Sequence, residues 1–151
     1  MARLVSVENV DRMGAVVALM IFAVCVLLFC SRLADKPRVE HWLGLALMLA
    51  LIPLIYLMVT APSYTRPPLY YVQISLMIVF LIVELLLDYV LKIPFRDERW
   101  MVIAYVMLFF GATGGMLGVA AVAGRVWAVS SVCLFLAMAI LAFVQHAKTG
   151  M

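Results

Sequence analysis

The sequence predicts an all-α fold: a polytopic integral membrane bundle of five transmembrane helices. Three observations lead there. Of the 151 residues, 68% are hydrophobic and 13% charged, against roughly 45–50% and 25% in soluble domains. Mean hydropathy is +1.19. The charged residues also gather in short turns between five apolar runs. Each run is near the roughly 20 residues that, at about 1.5 Å apiece, cross a hydrocarbon core about 30 Å thick. Residues 1–151 therefore read as a single transmembrane domain with no separate soluble domain.

Residues 1–12 form a short polar lead in which Ser6 is placed to cap an early helical turn. The first span, about 13–31, contains no charge. Its lead is not distinctly basic, the apolar run is long, and no small-x-small site closes it, so it reads as a span rather than a cleaved signal. Phe29 is too bulky for a lipoprotein site at Cys30. A charged turn with Pro37 follows, then the second span, about 41–60. Pro53 stands two-thirds of the way along it and should kink the helix, because proline removes a backbone bond that neighbouring helices must make good. Residues 61–68 are a rigid, proline-rich connector.

The third span, about 69–91, is the one that carries acid. After a charged turn at 92–99 comes the fourth span, about 100–122. Only Gly124 and Arg125 interrupt the apolar stretch from Trp100 to His146, but that stretch is about twice a single span. A fifth helix, about 126–146, follows.

Orientation is read from the basic residues, which favour the cytoplasmic side. Arg3, Arg12, Arg66 and Arg125 share one side; Arg32, Lys36, Arg38, Lys92, Arg96, Arg99 and Lys148 share the other. The second group is larger, so the expected topology is N-terminus out and C-terminus in. Arg38-Val-Glu-His-Trp42 and Arg96-Asp-Glu-Arg-Trp100 match as Arg-x-Glu-basic-Trp. The same offset suggests a parallel repeat of helix pairs 1–2 and 3–4, an arrangement that occurs in transport proteins. Under that offset Glu84 falls on Val26 and Asp88 on Cys30, so acid would be confined to the second copy.

The chemistry concentrates on the third span. Glu84 lies about 6 Å beyond the middle of its run at helical rise, with Asp88 one turn further out and Lys92 a turn beyond that. A charge at the bilayer centre costs at least about 2.5–3.5 kcal/mol, so such residues face protein or water and are functional candidates by default. On a helical wheel Tyr70, Gln73, Met77, Phe80, Glu84 and Asp88 share one stripe, with Ser75 opposite. A low dielectric favours the protonated carboxyl of Glu84, and an ionised Asp88 nearby adds to that. Lys92 is expected to pair with Asp88 near the headgroups. Tyr105 on the fourth helix falls at a depth between Glu84 and Asp88 and is a plausible hydrogen-bond partner. The candidate proton, cation or polar binding site is thus Glu84, Asp88, Gln73 and Tyr105.

Gly111-Ala-Thr-Gly-Gly-Met-Leu-Gly118 holds two small-xxx-small registers, Gly111/Gly115 and Gly114/Gly118, which let another helix approach closely. No strand precedes this segment and no lysine follows it, so it is not a phosphate loop. Cys25, Cys30 and Cys133 read as small buried hydrophobes; no CxxC pair or zinc-type spacing appears. His41 and His146 fall at the same helix ends as Asp88 but read as solvated interface residues. Neither cofactor nor metal is expected, and no nucleophile or redox set points to an enzyme.

Two functions fit. The sharper is a proton- or cation-linked transport or binding protein using intramembrane Glu84. The alternative is a non-catalytic accessory or scaffold subunit of a membrane complex, packing through the Gly111–Gly118 face. With so little chain outside the bilayer, the expected partners are lipid and copies of the chain in a homo-oligomer, or partner membrane subunits. No basic surface suggests nucleic acid. The expected location is multi-pass in a membrane, the plasma or inner membrane if the cell is bacterial.

Overall fold

The computed structural model describes residues 6–92, 94 and 97–149, all helix and connecting turns. Arg3 and Arg96, used in the charge count, and Arg96 of the apparent repeat lie outside the described residues. Five helical spans of 23 to 28 residues are long and apolar enough to cross a membrane.

The first helix, α1 (Val7–Leu33), starts ahead of the expected boundary. The Ser6 hydroxyl accepts from the Asn9 amide, and Arg12 pairs with Glu8 one turn back at 2.5 Å. A cap and an i,i+4 ion pair carry helix through a lead too polar for the membrane itself. α1 stops at Leu33, and Asp35 turns the chain at φ 53°.

The second span is broken. α2 (Pro37–Met48) begins on a proline, whose missing N–H is no loss at a helix start. α3 (Leu51–Thr60) resumes after a turn at Leu49 and Ala50. Pro53 explains the place: it cannot donate to the carbonyl four residues earlier, at Leu49, and its ring crowds that carbonyl. A 3-10 turn, Ala61–Tyr64, closes the span, and Thr65 reverses the chain at φ 49°.

The third span is α4 (Pro68–Glu84) followed at once by a π-helical turn, Leu85–Val90. The Leu91 amide donates to the Leu86 carbonyl five residues back, at 2.8 Å. Lys92 leaves the helix at φ 49°. The one-turn spacing expected between Asp88 and Lys92 is therefore not kept. α5 (Arg99–Val122) and α6 (Arg125–Thr149) complete the bundle, joined at Gly124, whose φ of 125° suits only glycine.

The core is built around α1, which packs against α2, α3, α5 and α6, while α4 lies against α3 and α5. Small residues on α1 (Gly14, Ala15, Ala18) admit these neighbours, and Ile21 and Phe22 fill the space between them. A Cβ on Gly14 would stand 3.0 Å from Val119 Cγ1 of α5. The outer surface is apolar too: Trp42, Met107, Val126 and Phe143 are all exposed. That suits hydrocarbon surroundings, where an outward Leu or Phe loses nothing. It also explains the cysteines. Cys25 is buried, but Cys30 and Cys133 are exposed, because a small apolar group gains little from burial when its surroundings are apolar already.

The two ends of the bundle differ. At the Ser6 end, Arg66 of the 61–67 connector pairs with Asp11 of α1, their side chains 8% and 16% exposed. The Arg66 guanidinium also lies 5.1 Å from the ring of Tyr70. At the opposite end Lys148 donates to the Leu33 carbonyl at 3.4 Å, and the helices part around two cavities.

Candidate functional site

Glu84 is the last residue of α4 before the π turn, and it is 8% exposed. The α-helical face that buries Tyr70, Ile74, Met77, Phe80 and Leu81 carries it inward. Within the π turn no residue is buried. The wider winding rotates the chain away from the stripe, so Asp88 is half-buried rather than stacked on Glu84 against the core. Turns of this kind recur at functional sites because they re-aim side chains at the expense of regular bonding.

The phenol of Tyr105 on α5 donates to Oε2 of Glu84. Its ring packs 5.7 Å from Phe80, one turn before Glu84, which fixes where the hydroxyl points. Arg32, in the last turn of α1, lies within electrostatic reach of both Glu84 and Tyr105. Its Nε donates to Glu40 Oε1 of α2 at 2.5 Å, across the turn that joins the helices. Sequence reasoning missed Arg32 as a site residue. It counted only as a turn charge, since nothing in a single apolar run marks which face its terminal arginine takes.

Two cavities meet at these groups. The first, about 430 Å³, is mostly apolar and runs between α1, α5 and α6. Glu84, Tyr105 and Arg32 line it together with Gln145 and His146, amid the rings of Phe29, Phe80, Phe109, Phe110 and Phe143. The second, about 630 Å³, is the more polar of the two, although more than half of its lining is still apolar, and is walled by α1, α2 and the π turn. Among the described residues, the carboxyl groups of Glu40, Glu84, Asp88 and Asp97 line it with two cations, Arg32 and Lys92. Leu28, Arg32 and Glu84 line both. Glu84 therefore stands where the two cavities adjoin.

Tyr89 stands at the side of the polar cavity. Its hydroxyl donates to the His41 carbonyl at 3.2 Å, and its ring lies 5.3 Å from the His41 imidazole. Gly44 makes this possible, since a Cβ there would overlap the Tyr89 hydroxyl. His41 and Asp88 share the polar cavity, while His146 lines the apolar one, so these three are not brought together. Among the described residues no group of three His, Cys, Asp or Glu side chains is placed to hold a metal ion.

Gln73, the fourth member of the candidate set, is about three turns from Glu84 along α4 and lines neither cavity. It meets the glycine segment instead. A Cβ on Gly115 would lie 3.2 Å from the Gln73 Cα, and one on Gly118 would overlap its amide. The glycines that admit α4 are thus Gly115 and Gly118. At Gly111 and Gly114 a Cβ would have nothing within 4 Å.

No protein-family model, curated protein or solved structure matches the chain.

Proposed function

We propose that the protein is a small proton- or cation-linked transport or binding protein of the membrane, with Glu84 as the exchanging group. One observation carries this reading: the Glu84 carboxyl belongs to the wall shared by the apolar and the polar cavity. A carboxyl in that position can meet an ion from the polar side while its surroundings keep the uncharged state accessible. Tyr105 holds the carboxyl in place, and Asp88 and Asp97 draw cations toward it along the polar cavity. With the orientation read from the basic residues, the polar cavity opens to the cytoplasm. The alternative, a scaffold subunit packing through the glycine face, is left with Gly111 and Gly114, because Gly115 and Gly118 already seat Gln73.

A lipophilic carbodiimide, which modifies protonated carboxyls in apolar surroundings, tests the reading. Glu84 should be modified in protein reconstituted in lipid, more slowly as pH rises from about 5 to 9, with protection by added cations. A rate that is flat across that range and indifferent to cations would speak for a buried strut.

A further inference from the structure

The apolar cavity has a direction. It lies between the start of α5 and the end of α6, the halves of these helices furthest from their joining turn at Gly124. Its outer rim is formed by Ile103, Met107 and Phe143, of which Met107 is 71% and Phe143 68% exposed. Its floor is Glu84, at 8%. A molecule entering past that rim comes from the lipid, not from water, and travels over aromatic rings until it meets a carboxyl.

From this we infer that the crevice between α5 and α6 admits a lipophilic monocation sideways from the bilayer, a hydrophobic body with one amine or quaternary ammonium head, and that Glu84 is its counter-ion. The inference rests on the reading of Glu84 as an exchanging site and adds the class of ligand.

Size, sign and surroundings each narrow that class. A space of about 430 Å³ falls within the range of small-molecule pockets, roughly 300–1,000 Å³. An inorganic ion would leave most of it empty. The walls are nearly all hydrocarbon and phenyl, so the ligand's body is apolar. The head is cationic for two reasons. Arg32, the group that would hold an anion, is engaged at 2.5 Å with Glu40, and among the described residues that leaves Asp88 and Asp97 against Lys92 in the cavity behind Glu84. Phenyl faces at Phe29, Phe80, Phe109 and Phe110 add attraction for an ammonium, of the kind aromatic cages provide. His146 at the cavity wall is the other basic side chain lining it.

The test uses two photoreactive probes with the same diazirine-bearing alkyl chain, one ending in trimethylammonium and one in sulfonate. Each is irradiated with the full-length protein in phosphatidylcholine nanodiscs, and the labelled positions are mapped by mass spectrometry. The ammonium probe should label residues of the 102–110 and 142–146 segments, with tetrabutylammonium competing. In Glu84→Gln that competition should weaken about tenfold or more, the equivalent of losing one charge-assisted contact. Met107→Trp, a change on a lipid-facing rim that leaves the core alone, should cut labelling by filling the entrance. Equal labelling by the two probes makes the crevice an ordinary lipid groove and overturns the inference, as does a preference for sulfonate or an unchanged Glu84→Gln. A Glu84 carboxyl that titrates while no ammonium enters sinks this inference alone. One that never titrates sinks the parent reading with it.

Discussion

Tyr105 of α5 donates its phenolic proton to Glu84 of α4, and this bond fastens the two helices together at the point where α4 gives way to a π turn. Everything polar on that side is arranged about it. Arg32 approaches from α1 and is itself held by Glu40 of α2, so four helices contribute to one cluster.

Removing the phenol should therefore loosen the fold locally and measurably. A hydrogen bond contributes about 0.5–1.5 kcal/mol, or about 1.5–3 once Glu84 is ionised. Tyr105→Phe keeps the ring against Phe80 and deletes only the donor. The expected outcome is a loss of about that size in equilibrium unfolding in mild detergent. Glu84→Gln, which can still accept from Tyr105, should lose less.

The ion pair at the Ser6 end gives a second prediction. Arg66 and Asp11 are both mostly buried, and breaking a buried pair by removing one partner costs about 3–5 kcal/mol, since the other charge is left uncompensated. Arg66→Ala should destabilise by that amount. Replacing both, as Asp11→Asn with Arg66→Gln, should recover part of the loss. The measurement is the same unfolding transition, run as a double-mutant cycle. Purely additive losses would mean that the two charges do not act as a pair.

The glycines separate cleanly. Gly118→Ala places a methyl on the Gln73 amide and Gly115→Ala places one 3.2 Å from the Gln73 Cα. The Gln73 side chain can swing aside, but its backbone cannot. Gly115→Ala should therefore cost about 1–3 kcal/mol by overpacking and Gly118→Ala less. Gly111→Ala meets nothing, and helix propensity favours alanine by about 1 kcal/mol, so it should be neutral or stabilising. Thermal unfolding of the three variants side by side checks the order. A damaging Gly111→Ala would instead mean that this face is covered by another chain.

Much of this arrangement is legible in the sequence alone, and the limit of that reading is physical. Run length and charged turns suffice for the five spans, because a bilayer demands about the same length of each. Depth counting along neighbouring helices puts Tyr105 between Glu84 and Asp88, and the structure has it bonded to Glu84. The break at Leu49–Ala50 follows from Pro53 by a fixed offset of one turn. Other features depend on contacts that composition does not encode. Leu85–Val90 has the residues of an ordinary apolar helix, and nothing local distinguishes π from α winding there. Asp11 and Arg66 stand far apart in the chain and meet only when α1 packs against the 61–67 connector. Arg32 reads as a turn charge until α2 folds back to present Glu40. Neither glycine register packs as the pair the spacing suggests: Gln73, on another helix, meets Gly115 of one and Gly118 of the other, and leaves Gly111 and Gly114 without a neighbour among the described residues. And the centre of the bundle is α1, whose small residues carry no chemistry, rather than α4, whose acids draw the eye.

The claim that matters most is that the Glu84 carboxyl exchanges protons with water through the polar cavity. Infrared difference spectroscopy of the protein in lipid, with Glu84→Gln as control, tests it most directly. The account predicts a carboxyl band, absent from the control, that gives way to carboxylate between about pH 5 and 8. A band that persists unchanged to about pH 9 would contradict it and leave Glu84 as a protonated strut between α4 and α5.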